Sequence, residues 1–275
     1  MKNISVLISV YKNDNSVYLN EALLSIWDKQ IFKPFQVVLI QDGIVSESLR
    51  NVISHWRQKL NEKLVFIKNT ENIGLTKSLN KGLKYCSGDF IARMDSDDIS
   101  SHDRFKLQIE FFNKNKDIDI LGGSMQEFNQ NNELLVVRKY PISNVEVLRQ
   151  IAISSPLCHP AVMFRRRVFD EGNYYNERYI TSQDIDLWFH LILKGYKISN
   201  IENIILLFRV NDDLVKRRNI TKGINEFRIY IKGIIKLYGF NYRLVYPLLR
   251  FFFRLMPNFI IKYVYKSNLR KILNK

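Results

Sequence analysis

The chain has 275 residues, 46% of them hydrophobic and 13% aromatic, and its 42 Lys and Arg against 27 Asp and Glu give a formal net charge of +15. This composition excludes a disordered segment, a collagen-like repeat and a disulfide-stapled miniprotein, and it supplies material for one large core or two modest domains. The charge is unevenly placed: residues 216–275 hold fifteen Lys and Arg and a single acid, Glu226, for +14, while the 27 bases and 26 acids of residues 1–215 nearly cancel. Such asymmetry predicts a polyanionic partner, either nucleic acid or an anionic membrane face.

The first predicted element is a buried strand over 4–10, followed by a helix around Leu19, Leu23 and Ile26 and a second strand over 35–40. Only Lys2 precedes the first apolar run and no small-residue cleavage site follows it, so it reads as a strand and not as a signal-peptide core. Ser46 is placed to cap the next helix, where Leu49, Ile53, Trp56 and Leu60 share one face at spacings of 4, 3 and 4. Strands over 64–67 and 89–94 bracket a helix over 76–85, and Asp103 is placed as the N-cap of a helix over 105–115. A strand over 118–123 then leads into a hairpin reaching Arg138, with its turn near Asn131 and Asn132, and a helix over 184–194 is stopped by Gly195. From Asn225 onward the pattern is helical, with Pro247 and Pro257 as breaks. Cys86 and Cys158 are too few for a disulfide framework and lack zinc-ligand spacing, which suits a reducing cytoplasm.

Strands alternating with helices predict an α/β fold, a doubly wound and mostly parallel sheet flanked by helices. Ligands of such sheets bind beyond the carboxyl ends of the strands. Three polar positions follow strands directly: Tyr11, Asp42 and the run Asp95-Ser96-Asp97-Asp98. Three acids in four residues suit a hard divalent cation that shares its shell with phosphate oxygens, while the competing reading is a solvated acidic turn. The chain contains no GxGxxG, no GxxxxGK[ST] and no GxSxG, so a dinucleotide fold, a P-loop and a serine-hydrolase elbow lose support. His55, His102, His159 and His190 form no metal-ligand spacing.

Several blocks carry a resemblance in order. They are the run Asn72-Ile73-Gly74-Leu75-Thr76-Lys77-Ser78-Leu79-Asn80-Lys81-Gly82, then Ile91-Ala92-Arg93-Met94-Asp95-Ser96-Asp97-Asp98-Ile99, then Asp103-Arg104-Phe105. Cys158-His159-Pro160-Ala161-Val162-Met163-Phe164-Arg165, Gln183-Asp184-Ile185-Asp186-Leu187-Trp188 and Leu206-Leu207-Phe208-Arg209-Val210 continue it. Together they resemble the inverting family 2 glycosyltransferases of GT-A fold, and among these the bacterial members that assemble O-antigen and exopolysaccharide repeat units. The resemblance implies that Tyr11 and Asp42 line a uridine pocket with Asp42 facing the base, that Gly74 and Lys77 lie beside the nucleotide, and that Asp95 approaches the ribose. It further implies that Asp97 binds Mn²⁺ or Mg²⁺ and that Asp184 is the catalytic base. His159 is read either as an acceptor or diphosphate contact or as a histidine packed by the Pro160 turn, Arg209 either as such a contact or as a solvated charge that ends its strand, and Trp188, four residues after Asp184, as a wall of the acceptor site. Relatives carry paired acids where this chain has Gln41-Asp42 and Gln183-Asp184, and the surviving acid is taken as the functional one. On a helix Asp184 and Asp186 point about 200° apart, so only one can face the cleft, and Trp188 shares the face of Asp184. The Gln-x-x-Arg-Trp signature of processive synthases is absent, which favours transfer of a single sugar.

The implied reaction moves a hexose, galactose or glucose favoured, from a UDP-sugar to a lipid-linked undecaprenyl diphosphate saccharide with a β-linkage as product. The expected organisation is a catalytic domain over 1–215, its nucleotide-sugar half about 1–100 and its acceptor half about 101–215, followed by a basic helical membrane-associating segment over 216–275. Arg228, Lys232, Lys236, Arg243, Arg250 and Arg254 would fall in a stripe about 80° wide on a continuous helix, beside an apolar and aromatic face. That is the pattern of a helix lying in a membrane interface, while charges and prolines exclude a span, so the expected location is peripheral, on the cytoplasmic face of the bacterial inner membrane; the alternative is a helical extension packed on the catalytic domain with a solvated basic side. Long aliphatic and Phe residues among the bases disfavour a nucleic-acid partner, and a metal-dependent nucleotidyltransferase would leave Asp184 without a role.

Overall fold

The computed structural model describes residues 2–210 and 220–255. In chain order the elements are β1 (Ile4–Tyr11), α1 (Ser16–Ile26), β2 (Gln36–Asp42), α2 (Glu47–Leu60), β3 (Leu64–Lys68), α3 (Leu75–Leu83), β4 (Phe90–Met94), β5 (Ile99–Ser100), α4 (Arg104–Lys114), β6 (Ile120–Phe128), β7 (Leu134–Arg138), α5 (Asn144–Gln150), β8 (Met163–Arg165), α6 (Arg167–Asp170), α7 (Gln183–Leu193), β9 (Ile198–Arg209), α8 (Ile220–Tyr238) and α9 (Val245–Leu255).

One sheet runs through the molecule in the order β3-β2-β1-β4-β8-β6-β9-β5, with β7 on β6. The first four strands are mutually parallel, as strand-helix alternation predicts. Their near-continuous apolar sequences follow from burial on both faces. Alternate residues of β1 enter opposite cores: Ile4, Val6, Ile8 and Val10 join α1, α2 and α4 through Leu19, Trp56 and Phe105. Leu7 joins Val38 and Ile40 against α3 and α7 through Leu79 and Trp188. Beyond β4 the short β8 reverses direction and pairs antiparallel with both β4 and β6, and the long β9 pairs parallel with β6.

Local chemistry explains the element ends. The Ser46 hydroxyl accepts the Leu49 N–H at 3.3 Å, as a cap should. Asp103 occupies the N-cap position of α4 but does not cap it, because its carboxylate accepts from the Ser101 hydroxyl at 2.8 Å instead. Ser182, directly before α7, is held at φ 60°, a left-handed conformation that costs a non-glycine residue energy.

The C-terminal helix is not continuous, and the break does not fall at a proline. It falls between α8 and α9, at Gly239 with φ 71° and a 3₁₀ turn over Tyr242–Leu244. Pro247 is the third residue of α9, within the first turn, where the missing N–H removes no helical bond. α8 is part of the body of the protein. Ile229, Tyr230 and Ile234 are buried with the residues of α7, and a Cβ on Gly233 would lie 2.4 Å from the Phe189 ring. Arg250 does not extend a basic stripe: its Nη1 donates to Glu226 at 2.9 Å and its guanidinium lies 4.7 Å from the Tyr230 ring centre. The boundary expected at 215–216, the Pro257 break and the bases of 256–275 lie outside the described residues. Among the described residues no helix is long and apolar enough to cross a membrane.

Candidate active site

The ends of β1, β2 and β4 converge as the strand pattern requires. Tyr11 and Asp42 are register partners on neighbouring strands. Tyr11 is 41% exposed, whereas Asp42 is 2% exposed and its oxygens accept from the main-chain N–H of Ile73 and of Gly74, each at 2.9 Å, and from Asn69 Nδ2 at 3.0 Å. The carboxylate of Asp42 is therefore a brace for the loop that enters α3, a role its expected place facing a base did not include. Gly74 begins that helix at φ 88°, and a Cβ there would meet nothing within 4 Å, so conformation alone demands glycine. The α3 N-terminus carries no side-chain cap, and Lys77 is exposed on its first turn, a combination suited to an anion.

Asp14 ties this group to the acidic loop. Its Oδ2 accepts the Tyr11 N–H at 3.0 Å and the Ser96 hydroxyl at 2.8 Å. Burial, with Asp97 and Asp95 nearby, pushes its carboxyl up to about 6. Sequence reasoning missed Asp14 because the polar run Lys12-Asn13-Asp14-Asn15 has the composition of an ordinary surface turn.

Asp95, Asp97 and Asp98 each offer a carboxylate oxygen within 4.8 Å of the others. Asp95 pairs with Arg93, which is 3% exposed near the end of β4. Asp98 is 1% exposed, and its Oδ1 accepts the Arg209 N–H at 2.9 Å while Oδ2 has no hydrogen-bond partner among the described residues. Burial and the two neighbouring carboxylates push the Asp98 carboxyl well above the usual carboxylate range. Hard oxygen donors, mutual repulsion and an orphaned buried oxygen are the properties a divalent cation would answer, so the residues present fit one. Beneath the loop, fully buried Arg104 donates from Nη2 to the Arg93 carbonyl at 2.9 Å, which fixes the end of β4.

On the opposite side lies the start of α7. Asp184 is half-buried, and burial raises its carboxyl while Arg93 and Lys222 oppose the shift. Asp186 points elsewhere, bonded to Asn176 and near Lys232 and Lys236 of α8. Asp184 is thus the residue of the pair that shares the field of Arg93 with Asp95 and Asp98. The loop before α7 is held by α3: Thr76 Oγ1 donates to the Tyr179 carbonyl at 2.8 Å, and Asn80 both donates to the Tyr175 carbonyl at 2.8 Å and accepts its N–H at 3.0 Å.

Two sequence expectations are corrected here. Trp188 is fully buried and stacked on Phe164 at 5.8 Å, so it is a core residue and not a wall of an acceptor site. Arg209 is 3% exposed and its guanidinium is engaged inside the protein, with Nε donating to the Asp97 carbonyl at 2.9 Å and Nη2 to Glu21 at 2.5 Å. It cannot serve as an exposed acceptor or diphosphate contact in this arrangement. His159 is placed beside the cleft with Nε2 2.8 Å from the Tyr175 hydroxyl.

The glycosyl transferase family 2 model matches residues 5–172. The chain is 34% identical over 276 aligned positions to the UDP-Gal:alpha-D-GlcNAc-diphosphoundecaprenol beta-1,3-galactosyltransferase of Escherichia coli, covering 98% of this chain and 97% of the relative. It is 32% identical over 267 positions to the amylovoran biosynthesis glycosyltransferase AmsE of Erwinia amylovora, covering 96% and 98%. In three dimensions it is similar to S. aureus TarS 1-349 in complex with UDP-GlcNAc, with a TM-score of 0.66 at 20% identity over 97% of this chain and 74% of that one. The mannosyltransferase of Pyrobaculum calidifontis in complex with GDP-Man and Mn²⁺ gives 0.66 at 13% identity over 92% and 74%. These two likenesses concern the fold, which is the GT-A arrangement of a parallel nucleotide-side sheet continued by a mixed half. The chain belongs to glycosyltransferase family 2.

Proposed function

We propose that the protein transfers a single hexose, galactose or glucose, from a UDP-sugar to an undecaprenyl diphosphate-linked saccharide in the assembly of an O-antigen, capsule or exopolysaccharide repeat unit. Transfer inverts the anomeric centre, so an α-linked donor gives a β-glycoside, and β-1,3 linkage to an N-acetylhexosamine is the favoured product, in keeping with the activity for which the Escherichia coli relative is named. The observation that carries the reading is one series of neighbouring residues, Gly74-Asp42-Tyr11-Asp14-Ser96, joined by main-chain and side-chain hydrogen bonds and by strand pairing, that leads to the acidic loop, with Asp184 in the field of the same Arg93.

In this mechanism Tyr11 and the loop braced by Asp42 receive the base, Asp95 the ribose, and the α3 N-terminus with Lys77 the diphosphate. Asp97, with Asp95 and Asp98 around it, would hold Mn²⁺ or Mg²⁺, which when bound stabilises the negative charge that develops on departing UDP. Asp184 removes the proton from the attacking acceptor hydroxyl; its raised basicity through burial suits that task near neutral pH. Arg93 keeps its charge between the two carboxylate groups and limits their repulsion.

In this reading a catalytic domain over 1–215 and a basic region over 216–275, whose α8 packs on α7, would hold the enzyme peripherally against the cytoplasmic face of the inner membrane, where a lipid-linked acceptor resides. Val245, Leu248, Leu249 and Phe252 of α9 are exposed at spacings of 3, 1 and 3, with Phe240 and Tyr242 exposed just before them. A face of this kind among bases favours an anionic lipid surface over nucleic acid. The test uses purified full-length enzyme, a synthetic N-acetylglucosaminyl diphosphate lipid and a panel of UDP-sugars, with and without EDTA. Transfer of one hexose, abolished by EDTA and lowered by at least about 10²-fold in Asp184→Asn with UDP binding retained, is expected. Metal-independent turnover or a near-normal Asp184→Asn rate would overturn the assigned roles.

A further inference from the structure

The residue at the far end of β9 is hydrogen-bonded to the acidic loop at two points. Arg209 is the last residue of β9, and the strand just before it pairs with β5, Leu207 with Ile99 and Leu206 with Ser100. Its main-chain N–H donates to Asp98 Oδ1 at 2.9 Å and its Nε to the Asp97 carbonyl at 2.9 Å, so one residue holds two successive members of the loop. The guanidinium is fixed in turn from three sides. Tyr18 lies 3.8 Å and Phe128 4.4 Å from it by ring centre, and Glu21 accepts from Nη2 at 2.5 Å.

These contacts define a different task from charge neutralisation. Glu21 balances the guanidinium charge, so Arg209 adds little net positive field to the carboxylates. What it supplies is geometry. Asp95, Asp97 and Asp98 repel one another, and a loop that carries them would spread before a cation arrives unless its backbone were held. We propose that Arg209 is a positioning residue that holds the Asp97-Asp98 turn in the shape that receives the divalent cation, so that the cation need not order the loop on arrival. Outer partners of this kind orient the groups that touch a metal and set its affinity without touching it themselves. The inference rests on the reading of this site as a metal-nucleotide site.

The experiment titrates Mn²⁺ into full-length enzyme in the presence of UDP, read by calorimetry and by the electron paramagnetic resonance signal of free Mn²⁺. Arg209→Lys keeps a cation but loses the fork that reaches both Asp97 and Glu21. Glu21→Gln changes a side chain that is 40% exposed and, by removing the carboxylate charge, loosens one side of the guanidinium; it stands in for Glu21→Ala should that variant not fold. Arg209→Lys is expected to raise the Mn²⁺ concentration for half-saturation by about 10-fold, the low end for outer-shell substitutions, and Glu21→Ala, one step further from the loop, by about 3-fold. At saturating Mn²⁺ the turnover of both variants should return to near the parent value, a recovery that a general loss of structure would not show. Half-saturation unchanged in folded Arg209→Lys, or in Glu21→Ala should the former not fold, would overturn the inference. A turnover that stays low at saturating Mn²⁺ would overturn it too, by marking Arg209 as a substrate contact. A parent enzyme that binds no Mn²⁺ with UDP would instead overturn the reading of the site, and this inference with it.

Discussion

Nε2 of His159 lies 2.8 Å from the hydroxyl of Tyr175, and the imidazole meets the Tyr175 and Trp188 rings edge-on at 5.5 and 6.0 Å. Burial, with the Arg93 charge added, holds this imidazole well below the usual histidine value. It is therefore neutral in the folded protein at pH values where the unfolded chain carries it protonated.

The sign of its effect on stability follows. Below the unfolded value of about 6.5 the unfolded state binds a proton that the folded state does not, so stability is full above that pH and is lost as pH falls through it, by about 1.4 kcal/mol per unit. Asp14, held up at about 6, acts in the opposite sense, since its folded form takes up a proton more readily than its unfolded form. The His159 contribution is read as a difference. In urea unfolding between pH 7 and 5, His159→Phe should lose stability less steeply than the parent, and parallel slopes would contradict the burial assigned to His159.

Trp188 gives a second prediction, because its position decides between packing and binding. Its side chain is fully buried and its Nε1 has no partner among the described residues. Trp188→Ala should cost about 3–5 kcal/mol in unfolding free energy. Trp188→Phe should cost distinctly less than this, since it removes a buried N–H that is already unpaired. Acceptor KM in Trp188→Phe should equal that of the parent; a selective rise in KM would return Trp188 to the acceptor site.

The first hundred residues were legible because β1, β2 and β4 are near-continuous apolar runs that end on polar residues, and burial on both faces leaves few other ways to fold such runs. The second half was legible in part: α4, the β6–β7 hairpin and α7 fall where their patterns predict, but the strands between them do not announce themselves. β5 and β8 are two and three residues long, too short for any period to show. β9 carries Asn200 in its interior, fully buried because Nδ2 donates to the carbonyls of Pro141 and Pro156 at 2.7 and 3.1 Å. Its pairing with β6 also shifts register on either side of Ser124, which breaks the two-residue alternation. In the site, the acids after the strands could be named from position alone. Arg93 could not, and Arg209 was named through the resemblance but for the wrong role, because a charged residue within or at the end of an apolar strand has the same local sequence whether it reaches solvent or is enclosed by tertiary partners.

The junction of α7 and α8 allows a prediction in which two effects oppose. In an exposed helix Gly→Ala gains about 1 kcal/mol. At Gly233 the new Cβ would stand 2.4 Å from Cγ of Phe189, and forcing such a contact in a packed interface costs about 1–3 kcal/mol. Gly233→Ala should therefore destabilise the enzyme, and Phe189→Leu in the same chain should recover part of the loss. A double-mutant cycle by thermal unfolding checks the coupling; strict additivity would mean that α8 does not rest on α7 at this contact.

The last prediction concerns the pH dependence of transfer and separates Asp184 from Asp186. Burial raises the carboxyls of both, but Asp184 lies in the field of Arg93 near Tyr175, whereas Asp186 is bonded to Asn176 and faces the lysines of α8. As the proposed base, Asp184 must be ionised, so kcat should fall tenfold per unit on the acid side, with a midpoint above the ordinary Asp value of about 3.9. Asp184→Asn should retain only a residual rate without that limb, while Asp186→Asn should keep both the limb and most of the rate. Arg93→Met should move the midpoint upward, since the nearby cation that favours the ionised carboxylate is gone. A limb that persists in Asp184→Asn and vanishes in Asp186→Asn would exchange the roles of the two carboxylates.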